Sequence, residues 1–222
     1  MQYIGLLDCN NFFVSCERLF RPDLRQRPVV VLSSNDGCVV ARSAEVKALG
    51  IPMGVPYFKV KAELARVNTA VFSSNFTLYR DVSARVMEVL GQAVDTVEPY
   101  SVDEAFFTVQ SSRTVVAAEL SRLKTLVETR VGVPVSVGAA ATKTIAKEAS
   151  ERGKRADGVC LLDPVTWNRV TPDLPVGEIW GIGGRLAVAL REIGVNTVAE
   201  LQAVDPALLR ARFGIGLVRV QQ

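Results

Sequence analysis

Asp8 closes the apolar run "YIGLLD", and Asp103 and Glu104 stand side by side in "YSVDEAFFTV", a stretch whose β-branched and aromatic residues otherwise read as a half-buried strand. A buried carboxylate without a partner is costly, and two adjacent ones push one pKa upward. Such a pair therefore calls for a cation nearby or for a wetted turn. The chain has no His, so the commonest general base and metal ligand is missing and chemistry must rest on carboxylates, Lys, Tyr, Cys or Ser. Three acids without His make an oxygen-rich set suited to Mg²⁺. Two such ions about 3.5 to 4 Å apart serve phosphoryl transfer. A solvated turn accounts for the Asp-Glu pair equally well.

The 222 residues, 49% hydrophobic, are enough to bury a core in one large domain or two modest ones. Lys+Arg 26 against Asp+Glu 23 leaves a formal charge of +3, which permits a polyanionic partner without requiring one. Cys9, Cys16, Cys38 and Cys160 form no C-x-x-C pair, which argues against zinc and for reduced thiols in a cytoplasm. No apolar run approaches the roughly 20 residues of a membrane span, and "MQYIGLLDCNNFF" lacks a basic leader, so neither membrane nor targeting signal is expected.

The elements that must position the acids follow from periodicity. "YIGLLD" reads as a strand buried on both faces, followed by a short helix capped by Asn10 or Asn11. "PVVVL" and "CVVA" are strands, and "SAEVKALG" is a helix stopped by Gly50. In "NFTLYRDVSARVMEVLGQAV", Leu78, Val82, Val86 and Leu90 line one helical face; Val116, Leu120, Leu123 and Val127 line another. "DTVEPYSVDEAFFTV" forms two strands around a tight turn, "PVSVGAAA" a strand and "KTIAKEASERG" a helix. The order predicts an α+β fold, an antiparallel or mixed sheet with helices on one face. Three prolines in "DPVTWNRVTPDLPVGEIW" predict a linker, with helices beyond it.

In this order and spacing, "LLDCNNFFVSCE", "NDGCVVARSAEVKALGIPMG", "VFSSNFTLYRDVSARVM" and "PYSVDEAFF" resemble the Y-family of translesion DNA polymerases, in the branch typified by UmuC, the catalytic subunit of bacterial DNA polymerase V. The resemblance implies a palm over 1–10 and 74–165, small α/β fingers over 11–73 and a partial helix-hairpin-helix thumb over 166–222. It implies an error-prone, template-directed polymerase of the SOS damage response that joins a dNTP to the 3′-hydroxyl of primer-template DNA with two Mg²⁺ ions. Asp8 and Asp103 would bridge both metals, Glu104 would hold the catalytic one, and the Cys9 carbonyl would touch the other. Phe13 falls where the family places its steric gate, with Phe12 beside it. Val40, Ala41 and Gly54 resemble the small roof over the nascent base pair; Lys47, Arg42, Lys154 and Arg155 are the phosphate-binding candidates.

Gly181, Ile182 and Gly183, ahead of an amphipathic helix, resemble the thumb hairpin, where glycines let backbone N–H groups approach a DNA phosphate. UmuD-like accessory subunits, a RecA filament and a sliding clamp are partners implied by the same resemblance. The family continues into a little-finger domain, and this sequence is expected to stop inside the thumb at "FGIGLVRVQQ", as a fragment or a truncated product. Two other readings stand beside the polymerase: a DNA-binding remnant without activity, and a cyclase-like phosphoryl transferase on the same palm.

Overall fold

The computed structural model describes residues 2–221. The first apolar run forms β1 (Gln2–Cys9), which enters α1 (Phe12–Leu19) through Asn11. Asn11 makes no side-chain cap; its backbone is left-handed (φ 49°) and the link is fixed instead by Ser15, whose hydroxyl donates to the Asn10 carbonyl at 2.7 Å. β2 (Val29–Leu32) and β3 (Val39–Arg42) pair antiparallel. α2 (Ala44–Ala48) and α3 (Tyr57–Arg66) lead to β4 (Ala70–Phe72), which adds parallel to β2, giving a small sheet ordered β3-β2-β4.

α4 (Phe76–Gly91) opens on Asn75, whose side chain accepts from Leu78 N–H. Its buried face carries Tyr79, Val82, Val86 and Leu90, so Tyr79 takes the place expected of Leu78, which is only partly buried. β5 (Val97–Pro99) and β6 (Glu104–Gln110) are the expected hairpin. α5 (Arg113–Val131) buries Val116, Leu120, Leu123 and Val127 as its spacing predicts. β7 (Val135–Ala140), α6 (Lys143–Lys154) and β8 (Val159–Leu162) complete a five-stranded mixed sheet ordered β5-β6-β1-β7-β8.

The α+β class holds, but helices cover both faces of this sheet, where one was expected. Leu7, Ala105, Phe107, Val137 and Ala139 share one face and pack with α4 and α5. Leu6, Phe106 and Ala140 share the other and pack with Ala146 and Ala149 of α6. Small residues make that second layer possible. A Cβ at Gly138 would lie 2.1 Å from the Ser150 backbone nitrogen, so α6 can touch β7 only where there is no side chain.

The proline-rich segment is not a linker. Asp163 caps α7 (Pro164–Val170), its side chain accepting from Thr166 N–H at 2.7 Å, and Pro164 occupies the first turn, where its missing N–H has no cost. Trp167, Leu174, Val176 and Ile179 join the core begun by Leu6 and Phe106. That core continues through α8 (Gly184–Arg191), α9 (Val198–Ala203), α10 (Pro206–Phe213) and α11 (Ile215–Gln221), with a capping box between Thr197 and Glu200. Among the described residues no helix is long and apolar enough to cross a membrane.

Gly138→Ala should lower unfolding free energy by about 3 kcal/mol, the upper end of ordinary overpacking, because the methyl meets backbone that cannot turn aside. Urea denaturation checks this; an unchanged midpoint would mean that α6 does not depend on that close approach.

Candidate active site

In the β1–β6 ladder Asp8 lies directly opposite Glu104, and in the β1–β7 ladder it lies opposite Ser136, so the two carboxylates share the sheet face that α6 covers. α6 supplies the cations that the sequence demanded. Lys154 Nζ donates to Asp8 Oδ2 at 2.7 Å and to Glu151 Oε1 at 2.6 Å. Lys147 Nζ reaches both oxygens of Glu104, at 2.8 and 2.6 Å. A turn earlier Lys143 holds Glu98 of β5 at 2.6 Å. Residues 147 and 154 lie two helical turns apart and so fall on one side of α6.

The electrostatics follow from this packing. Asp8 is 5% exposed, and burial pushes its pKa up to about 7 against the opposing pull of Lys154. Burial also works upward on Glu104, but the hydrogen bonds from Lys147 and from Asp8 outweigh it and hold that carboxyl below its ordinary value. One proton thus sits more readily on Asp8 than on Glu104. On Lys154 burial opposes the charge, and the bond and charge of Asp8 more than restore it, raising the ammonium above the usual lysine value.

Asp103 sits in the hairpin turn, half-buried, its Oδ1 accepting from the Ser101 hydroxyl at 2.7 Å. Its carbonyl accepts from Cys9 N–H at 2.8 Å, which pins the turn to the end of β1. The Cys9 thiol is buried and raised well above its normal pKa by that burial, so it is not a nucleophile. Asp8, Asp103 and Glu104 open onto one cavity of about 310 Å³. Among the described residues no three Asp, Glu, His or Cys side chains converge closely enough to cage a metal: two of the three acids are held by lysine instead. In kind, these hard oxygen donors with no His or thiolate fit Mg²⁺.

The same cavity is lined by Phe12, Phe13, Val40, Ala41, Arg42 and Lys47, together with Cys9 and Lys154. The Phe13 ring stacks on Tyr79 with centroids 4.3 Å apart and an interplanar angle of 13°, and Phe76 meets it edge-on. Tyr79 is fixed in turn by donating its hydroxyl to Glu17 Oε1 at 2.7 Å. Lys47 has a lowered pKa, first through burial and then through Arg42 and Lys154. Arg42 donates to the Ile51 carbonyl, which ties the end of β3 to the loop after α2. Gly54 and Arg155 do not line the cavity; Met53 does, and Arg155 is an exposed residue beyond the end of α6.

Sequence reasoning missed Lys147, Asn11, Met53 and Glu151 at this site. Lys147 had one weak signal, its seven-residue spacing from Lys154, which is two helical turns. Away from the cavity, Gly181 has φ 98°, Ile182 is buried, and Gly183 caps α8; a Cβ on Gly183 would touch nothing.

The impB/mucB/samB family model matches residues 7–151. Protein ImpB of Salmonella typhimurium is 43% identical over 223 residues, covering 97% of this chain and 53% of that protein. Protein UmuC of the same organism (strain LT2) is 42% identical, again over 97% and 53%. DNA polymerase IV of Corynebacterium diphtheriae is 36% identical over 88% of this chain and 44% of its own. The chain therefore spans about half the length of the curated relatives it matches. Among solved structures, a Dbh ternary complex superposes with a TM-score of 0.87 at 24% identity, covering 99% of this chain and 66% of that one. An insertion ternary complex of Dbh DNA polymerase gives 0.87 at 23%, over 99% and 67%. These two share the fold.

The raised pKa of Asp8 has a definite sign. A carboxyl with a higher pKa folded than unfolded favours the folded state when protonated, and that advantage is lost as pH rises from about 4 through about 7. In protein freed of divalent ions, Asp8→Asn should be more stable than wild type by roughly 2 kcal/mol at pH 8, with the difference vanishing near pH 4. Urea unfolding across that range checks it; equal stability at both ends would mean that Lys154 fully offsets the burial of Asp8.

Proposed function

The chain belongs to the impB/mucB/samB family, and from that membership we propose that it is the palm, fingers and partial thumb of a Y-family translesion DNA polymerase. The reaction is transfer of a nucleotide from a dNTP to a primer 3′-hydroxyl. One observation carries this reading: a single cavity is lined by Asp8, Asp103 and Glu104, by Phe13, and by Arg42, Lys47 and Lys154. That is an acid set for cations, a base-and-sugar surface and a basic rim for a triphosphate in one place.

The five-stranded sheet with α4, α5 and α6 is the proposed palm, residues 1–10 and 74–165, and the sheet β3-β2-β4 the core of the fingers, residues 11–73. Residues 166–222 are the proposed thumb. The carboxylates of Asp8, Asp103 and Glu104 and the Cys9 carbonyl are the donors for Mg²⁺. When bound, Mg²⁺ supplies positive charge to the attacking oxygen, the leaving oxygen and the triphosphate.

The protein's own part is positioning. Phe13, braced by Tyr79, is in this reading the residue that excludes a 2′-hydroxyl from the sugar position. Val40 and Ala41 of β3 form a low roof over the base, which suits a polymerase that accepts damaged templates. Lys47 and Arg42 approach the triphosphate from the fingers and Lys154 from the palm; Lys154 exchanges the Asp8 carboxylate for a phosphate oxygen when both are present. Gly181, Ile182 and Gly183 form the DNA-phosphate hairpin. Partners follow from the reaction: primer-template DNA and dNTP, with UmuD-like subunits, a RecA filament and a clamp as family expectations, all in the cytoplasm.

Single-nucleotide addition on a primer-template tests the reading. Wild-type protein should add a deoxynucleotide only when Mg²⁺ is present, and Asp103→Asn, a near-isosteric change at a half-buried turn residue, should reduce the rate by at least about 10³-fold. Retained activity in that variant would refute the acid assignment.

A second expectation concerns the sugar. Phe13→Ala should raise the efficiency of ribonucleotide relative to deoxynucleotide addition by about one to three orders of magnitude, because discrimination by exclusion costs the correct substrate little. An unmoved ratio in an active variant would leave Phe13 as a packing residue against Tyr79.

A further inference from the structure

Lys147 is held on three sides. Its ammonium bonds both oxygens of Glu104 and stands 5.1 Å from the centre of the Tyr100 ring and 5.6 Å from that of Trp180. Trp180 meets Tyr100 edge-on at 5.5 Å and tilts over Phe106 at 6.2 Å, so three rings from separate parts of the chain form one cluster beside the ammonium. A cation facing aromatic rings and a carboxylate together is fixed in place far better than a solvated lysine.

The positions of those rings matter. Tyr100 belongs to the hairpin turn that carries Asp103, and Phe106 is two residues beyond Glu104 on the same sheet face. Trp180 directly precedes Gly181, and the segment behind it is anchored by Ile182, buried, whose N–H donates to the Ile179 carbonyl. Glu104 is thus linked through one ammonium to the backbone entering the glycine hairpin.

We propose that Lys147 is a positioning residue that couples Glu104 to Trp180, so that the state of the acid and the seating of the glycine hairpin change together. The proposal rests on the polymerase reading in taking Glu104 as a cation ligand. It gives Lys147 two effects: it occupies the Glu104 oxygens against a competing divalent cation, and it reports any change at Glu104 to the indole of Trp180. Lys143, which pairs with Glu98 and faces only Phe106, has neither route.

The test uses the whole chain without DNA or nucleotide. Mg²⁺ is titrated in by calorimetry and, in parallel, by tryptophan emission, since Mg²⁺ does not itself quench indole. Wild-type protein should bind Mg²⁺ in a manner abolished by Glu104→Gln, with an emission change that follows the same isotherm. Trp180→Phe should keep the binding and lose the emission change, which separates Trp180 from Trp167. Lys147→Met keeps the apolar stem; it should bind Mg²⁺ about fivefold more tightly, with no emission change. Lys147→Arg should restore both readouts to within about twofold, because a guanidinium bonds a carboxylate and stacks on rings.

An emission change that persists in Lys147→Met, or Glu104-dependent binding in wild type with silent emission, overturns the coupling while leaving the acid assignment intact. Binding that survives Glu104→Gln unchanged removes Glu104 as a ligand, and the role of Lys147 falls with it.

Discussion

Two carboxylates facing each other across a β-ladder, on a face closed by a helix, cannot both be ionised unless opposite charge is brought to within hydrogen-bond reach. Asp8 and Glu104 impose that constraint here, and α6 meets it with Lys154 and Lys147. The requirement extends into the backbone. The lysines reach the acids only because α6 lies against β7, and α6 lies there only because residue 138 has no side chain to hold it away. A missing methyl group and an ion-pair array are parts of one arrangement.

The two faces of the central sheet have divided the work. The face under α4 and α5 is uniformly apolar, with Leu7, Phe107, Val137 and the helix stripes fully enclosed, and it supplies the hydrophobic stability. The opposite face is small and apolar in the middle, where Ala146 and Ala149 pack, and charged at the end where Asp8 and Glu104 emerge. The proposed site lies where the apolar packing stops. The apolar core of this second face runs on without a break into α7 through α11, so the carboxylate end of the sheet and the glycine hairpin belong to one packed body.

Much of this was legible in the sequence. The stripe Val116, Leu120, Leu123 and Val127 repeats at the helical period and was buried as expected, and the acids stood out because charge in a β-branched run needs a reason. The spacing of Lys147 from Lys154 was too weak a signal to single it out, since a lysine on a helix ordinarily faces water and only the ladder register puts Glu104 beneath it. The second helical layer was missed because its packing residues are Ala and Gly, which make no strong hydrophobic stripe. "DPVTW" read as a linker because prolines are turn signals, yet Asp followed by Pro is also a helix start, and Trp167 decided between them by burying its ring. Arg155 and Lys154 are neighbours with indistinguishable chemistry, and only helix phase separates the one at Asp8 from the one in solvent.

The central claim is that the lysine-held acids at the end of β1 and β6 are a divalent-cation site that takes a nucleotide. The most direct measurement is an anomalous-difference map from crystals grown with Mn²⁺ and a deoxynucleoside triphosphate. Peaks in contact with Asp8 and Asp103, with Lys154 released from Asp8 toward the triphosphate, are the expected result. Peaks elsewhere, with Lys154 and Lys147 still on Asp8 and Glu104, would contradict it.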